Sequence, residues 1–441
     1  MLSPRMLSPR MLPSRMLRAW MLPFRLLPSR MLSSRRATVL AALGCALVLA
    51  VLPTAAGAAV SQAGSAADSI RDNQQWVLDM MNVPSAWQET QGAGVTVAVI
   101  DSGVDPKVSD LAGSVTEGPD YTGIPTKPSN PNWGVHGTWM ASLIAGHGHG
   151  PGGDSGVIGI APQARILSIR VIPDRADPNY AKYTREQEPA IQESLARGID
   201  YAVQHGASVI SMSIGYSAPN GAVRQALQEA FSRGVVVIAS AGNSGAPAGP
   251  DDASPAPESF PADYPGVISV GAVNSSGVVA GFSSDNLSVQ VAAPGVSVPA
   301  QGRDGQYWWV SGTSPACALV AGVAALIKSK YPDLAPDLVA RALTTTTTDR
   351  PAGGYDSQVG FGIVDGAAAL AKAGKLAAAA RAPAGLSAAT RFGGGPAAVP
   401  PAPVSPRGSS QLVLFALLAL ACMVLGAVAG TRLALLRRSP R

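Results

Sequence analysis

The central part of this chain predicts an α/β fold: a doubly wound, mainly parallel sheet with helices on both faces, followed by one C-terminal transmembrane helix. Three observations lead there. Between residues 60 and 375, short apolar runs alternate with helix-period patterns, the mark of repeated strand–helix crossovers. The runs lack two-residue alternation, so each strand is buried on both faces, as parallel strands are. Finally, 47% of the 441 residues are hydrophobic and only 14% charged, enough apolar surface for a large core and too much for a disordered chain.

The strand candidates, in order, are VTVAVI (95–100), ARILSIRV (164–171), SVISMSI (208–214), VVVIAS (235–240) and GVISVGAV (266–273). Helix patterns cover 136–145, 191–204, 221–233, 314–330, 335–343 and 365–373. In open sheets of this kind, active groups gather at the carboxyl ends of the strands.

The ends of the chain carry its basic charge. Residues 1–36 hold eight Arg and no acid, and 431–441 hold four Arg and no acid. All 28 acids fall within 60–375, against 18 basic residues there, so this part has a net charge of −10 and no electrostatic footprint for nucleic acid. The first 30 residues repeat MLSPR-like units. Met31 alone supplies a sufficient basic start, and translation from there is one reading of the repeats. An apolar run from Ala37 to Leu52, closed by Pro53 and the A-x-A site Ala56-Gly57-Ala58, reads as a signal peptide over 37–58.

An extension covers 59–90, the main domain 91–375, and an Ala/Pro/Gly-rich linker 376–410. Residues 411–430 are uncharged over the length of a bilayer span, and the arginines of 431–441 follow at once. The positive-inside rule keeps that tail cytoplasmic and the domain outside: a single-pass cell-membrane protein. Of three cysteines only Cys317 lies in the exported part, so that part forms no internal disulfide.

Three polar residues sit at element boundaries inside distinctive strings. Asp101 ends a strand in VAVIDSGVD, His136 opens a helix in WGVHGTWMASLIAG, and Ser314 opens another in VSGTSPACALVAGVAAL. A serine nucleophile needs a base to take its proton and a carboxylate to hold that base in the right tautomer. Singly, each residue is as well explained as a turn former, a structural histidine or a helix cap.

Together with IGIAP, VISMSIG and ASAGNSG, these strings closely resemble the subtilisin-like serine proteases, in the chain order Asp, His, Ser, over roughly 73–372. The resemblance implies peptide-bond hydrolysis through an acyl-enzyme, with Ser314 as nucleophile, His136 as base and Asp101 as its orienting carboxylate. It further implies Asn243 as an oxyanion-hole donor. Ser213, Ile214 and Gly215 would line bound peptide by strand addition, and Ser240, Ala241 and Gly242 would form the facing wall of the primary pocket. No cofactor is required for such chemistry.

The order of extension, protease, Pro-rich stalk, span and basic tail resembles the mycosins, membrane-anchored subtilases associated with type VII secretion. The partners this implies are protein or peptide substrates, the membrane and a secretion complex. Two features depart from the family. Pro315 and Cys317-Ala318 alter the usual sequence after the serine, with Cys317 expected as a small buried hydrophobe. Val135 stands where mycosins often carry an acid just before HGT, and no cysteine pair flanks it.

No metal ligand set is assigned. Structural calcium stays open, because Asp154-Ser155 and Asp251-Asp252 offer oxygens without a diagnostic spacing. The HGHG at His147 and His149 reads as a loop rather than a zinc site. Two other functions fit the same strings: a general surface protease or sheddase without a secretion complex, and a catalytically silent peptide-binding module. Four intact chemical groups argue against the silent module.

Overall fold

The computed structural model describes residues 63–381, apart from 182, 184–187 and 246–255. The predicted leader, signal peptide, membrane span and basic tail lie outside the described residues, as does Asp251-Asp252. Among the described residues no helix is long and apolar enough to cross a membrane.

Among the described residues seven parallel strands form the central sheet, in the order β2-β5-β1-β6-β7-β8-β9. Five are the predicted ones: β1 (Thr96–Asp101), β5 (Arg165–Arg170), β6 (Val209–Met212), β7 (Val236–Ser240) and β8 (Ile268–Val273). Their apolar residues are almost all buried, as an all-parallel sheet covered on both faces requires. The two edges were not predicted. Strand β2 (Val115–Asp120) is polar, with Gly118 and Pro119 at a register shift, and such residues are tolerated only at an edge. Strand β9 (Val289–Pro294) closes the other side. Two antiparallel hairpins complete the strands: β3 (His147–His149) with β4 (Ser155–Ile158), and β10 (Val298–Gln301) with β11 (Tyr307–Val310).

Helices cover both faces and divide the core in two. On one face α4 (Glu188–Gln204) and α5 (Gly221–Ser232) pack through Leu195, Ile199, Val223 and Leu227. On the other lie α3 (Val135–Ala145) and α6 (Thr313–Lys330). Helix α6 is buried all round, Thr313 to Lys328, and its small residues permit close neighbours. A Cβ on Gly322 would stand 2.5 Å from the Ile160 Cβ. Helix α7 (Pro336–Thr345) and helix α8 (Gly366–Arg381) finish the domain, so the Ala-rich chain after 375 begins as helix rather than linker.

The extension is also helical. Helix α1 (Ala63–Met80) leads through the short α2 (Val83–Ala86) into β1, and its polar face clasps the β3–β4 hairpin. Fully buried Gln74 exchanges two hydrogen bonds with the main chain of Ile158, at 2.7 and 3.0 Å, as a neighbouring strand would. Arg71 donates from Nε to the Gly156 carbonyl at 2.8 Å and from Nη2 to Gly153 at 3.0 Å and Ser155 at 3.4 Å. The guanidinium thus lies against main-chain carbonyls of the turn that holds Asp154 and Ser155. Among the described residues no three His, Cys, Asp or Glu side chains converge on a common point. His147 and His149 are strand residues rather than loop residues, because β3 pairs with β4, His147 opposite Ile158 and His149 opposite Ser155. His149 Nδ1 pairs with the buried Asp110 at 2.6 Å, while His147 meets main-chain oxygens of Gly148 and Ala112.

Arg71→Ala should lower unfolding stability by about 2–3 kcal/mol, since it leaves carbonyl groups that a charged donor had satisfied. Denaturant melts and earlier proteolytic release of the extension check this; an unchanged midpoint would show that Gln74 alone holds α1.

Candidate active site

The sheet reverses its winding around β1, and the crevice at the carboxyl ends of β1 and β6 is where such folds gather ligands. Asp101 ends β1, pinned by pairing with β5, and is 2% exposed. His136 is the second residue of α3, and Ser314 the second of α6. All three line one cleft of about 870 Å³, together with Asn243.

His136 Nδ1 lies 2.8 and 2.9 Å from the two oxygens of Asp101. A nitrogen facing a carboxylate carries the proton, which leaves Nε2 as the ring's acceptor. Asp101 Oδ1 also accepts from the Ser102 N–H at 2.6 Å, so the carboxylate is held from its own strand end. Burial pulls the imidazole pKa down, but the charge and hydrogen bond of Asp101 more than reverse this, with help from Asp174 and against Arg175. The net direction is upward from the ordinary value of 6.5. Among the described residues Ser314 Oγ forms no hydrogen bond; such contacts often tighten only around a bound substrate.

Gly312 precedes α6 at φ 151°, ψ 173°, a conformation that glycine reaches readily, and delivers Ser314 to the cleft in the helix's first turn. Pro315 is the third helical residue, where no intrahelical N–H bond is lost. The Ser314 N–H belongs to that same unsatisfied turn. Thr313 donates to Asn243 Oδ1 from its N–H at 2.9 Å and its hydroxyl at 3.1 Å. A main-chain N–H only donates, so the amide oxygen of Asn243 faces Thr313 and its nitrogen faces the other way.

Of the predicted peptide-lining residues, Ser213, Ile214, Gly215, Ser240 and Gly242 line the cleft. The ladder of β6 ends at Met212, so 213–215 lie just outside it. Ala241 departs from the rest: it is fully buried, with its N–H donated to Val270.

Three further groups were missed by sequence reasoning. Ser259 arrives from a distant loop, and its Oγ would be 2.7 Å from a Cβ on Gly215 and 3.3 Å from one on Gly242, so it sits between the two walls. Trp139, one turn beyond His136, meets the imidazole edge-on at 6.2 Å and the half-exposed Trp308 at 5.8 Å. Asp174, on the loop after β5, accepts from the His136 main-chain N–H at 2.7 Å. Cys317 is fully buried, as expected, and burial pushes its thiol up to about 12.

With this fold and cleft in view, comparison with known proteins defines the class. The chain belongs to the subtilase family of serine peptidases; the model of the subtilase family matches residues 92–362. Fervidolysin from Fervidobacterium pennivorans is 33% identical over 323 residues, which is 68% of this chain and 44% of that protein. Subtilisin DY from Bacillus licheniformis is 35% identical over 262 residues, 59% of this chain and 86% of the other. Among solved structures, MycP1 from Mycobacterium smegmatis superposes with a TM-score of 0.55 at 31% identity, covering 67% of this chain and 84% of that one. The MycP3 protease from the type VII (ESX-3) secretion system gives 0.55 at 34% identity, covering 67% and 87%.

Because its thiol is sealed in the core, Cys317 should resist iodoacetamide in the folded protein and react once denatured. Site-resolved mass spectrometry reads this, and native modification at Cys317 would contradict the packing around α6.

Proposed function

We propose that this chain is a membrane-anchored, extracytoplasmic serine endopeptidase of the mycosin kind, working through Asp101, His136 and Ser314 and linked to type VII secretion. The observation that carries the catalytic part is the imidazole paired through Nδ1 to a buried carboxylate in the same cleft as Ser314 and Asn243. The secretion link rests on the MycP1 and MycP3 neighbours, together with the leader, stalk, span and basic tail legible in the sequence.

A peptide lies along 213–215, whose main chain extends past the β6 ladder. Ser314 Oγ attacks the scissile carbonyl as His136 Nε2 takes its proton, and Asp101 stabilises the imidazolium that forms. The carbonyl oxygen becomes anionic and receives the Asn243 amide and the Ser314 N–H, at the positive end of α6. Collapse breaks the C–N bond, and the leaving amine takes the proton from His136. Water then repeats the sequence on the acyl-enzyme, restoring Ser314.

A fluorophosphonate probe applied to the full chain should label Ser314 in the wild type and nothing in Ser314→Ala or His136→Ala. A folded wild type that stays unlabelled would sink the enzyme reading in favour of a binding module. Asn243→Ala should retain the acyl-enzyme route but lower kcat by about 10²–10³-fold, the scale known when a subtilisin loses this donor.

The pH dependence has a definite sign. Protonated His136 cannot act as base, and its pKa is raised, so kcat/KM should fall as pH drops through a value above 6.5. An acid limb below that value would show that the Asp101 pairing is not what governs the imidazole.

A further inference from the structure

Helix α3 begins at Val135 behind Gly134, whose φ of 69° and bare Cα give it no capping side chain. A side chain there would be strained: the φ is left-handed, and a Cβ on Gly134 would lie 3.1 Å from both the carbonyl carbon and the oxygen of Gly103. The N–H groups a cap ordinarily satisfies are those of the second and third helical residues, here His136 and Gly137. Both are satisfied from elsewhere in the chain. His136 N–H donates to Asp174 Oδ2 at 2.7 Å, and Gly137 N–H to Ser102 Oγ at 3.1 Å. The Ser102 hydroxyl in turn donates to the same Asp174 oxygen at 3.2 Å. One carboxylate oxygen therefore serves both groups, one directly and one through a hydroxyl.

We infer that Asp174 is a positioning residue for His136, supplying from a separate loop the N-cap that α3 lacks and setting the imidazole against Asp101. The inference rests on the reading of His136 as the general base. Asp174 is 5% exposed, and its loop is fastened on both sides. Buried Arg170, four residues earlier, donates to Asp120 at 2.5 Å, Thr122 at 3.0 Å and the Ser102 carbonyl at 3.2 Å. Asp177, three residues later, accepts from Thr126 at 2.6 Å.

The cap also has an electrostatic side. A helix N-terminus disfavours a cation, so an imidazolium forming at the second residue of α3 is opposed by the helix itself. An anion bonded to that terminus offsets the opposition. The charged groups acting on the ring are Asp101 on β1, and Asp174 and Arg175 on the loop after β5. Arg303, beyond β10 on the same side of α3, faces Asp105 at 3.9 Å.

The test is the pH dependence of fluorophosphonate labelling of the full chain in wild type, Asp174→Asn and Asp174→Ala. The Asn variant keeps an oxygen for both hydrogen bonds but loses the charge. Its acid limb should move to lower pH by about half a unit or more, with the plateau rate within a few-fold of wild type. The Ala variant loses the cap as well, and its plateau should fall by about 10–100-fold as the imidazole shifts. An Asn variant with the wild-type acid limb and an Ala variant with the wild-type plateau would overturn the inference.

Should the Asp174 variants not fold, Ser102→Ala tests the same relay, since it cuts the link to Gly137 and leaves the charge in place. A plateau several-fold lower with an unmoved acid limb is expected, and an unchanged plateau overturns the role. A folded wild type that fails to label at all would instead remove the general-base reading, and the positioning role with it.

Discussion

The closeness of helix α3 to the turn after β1 is the constraint on which the site depends. A Cβ on Gly137 would stand 2.1 Å from the Gly103 oxygen, so only a glycine lets the helix start come this near. That approach puts His136 against Asp101, a hydrogen-bonded pair drawn from two elements 35 residues apart in the chain. It also empties the capping position at Gly134, leaving two main-chain donors to be met by Asp174 and Ser102. The geometry that makes an imidazole–carboxylate pair thus creates the need for a second carboxylate.

Helix α6 does the corresponding work for Ser314. It runs buried beneath the sheet, and its small residues let it pass close to Ile160. With its body fixed by packing, its first turn has little freedom, and the Ser314 N–H and the Thr313–Asn243 contact become a rigid frame for negative charge. Cys317 belongs to the same packed surface. Its sulfur lies 3.6 Å from the Met212 carbonyl, between α6 and the end of β6, and fills space without offering a reactive thiol.

The extension shows how a polar helix can complete a domain. Arg71 and Gln74 satisfy main-chain groups of the β3–β4 hairpin, and that hairpin in turn gives the Val157 N–H to buried Asp110 at 2.7 Å. Such contacts tie three segments far apart in sequence. A guanidinium spread over several carbonyls is a permanent cation, carried by the chain itself.

Sequence alone determined the layered α/β fold, the five inner strands and the element boundaries that carry Asp101, His136 and Ser314, while Asn243 was singled out only by the resemblance to subtilases. It could do so because apolar runs in a fully covered sheet are continuous, and because strand ends and helix starts are marked by short local strings. One edge strand was hidden by the same logic: β2 is polar and holds Pro119, so nothing local distinguishes it from a loop. Tertiary structure alone decided that Asp174 would cap α3, that Ser259 would enter between Gly215 and Gly242, that Ala241 would turn to the core, and that Arg71 would fill the hairpin turn. Each of those outcomes joins residues distant in the chain through contacts of a few ångströms, and no periodicity or motif records a distance between segments that meet only when the core closes.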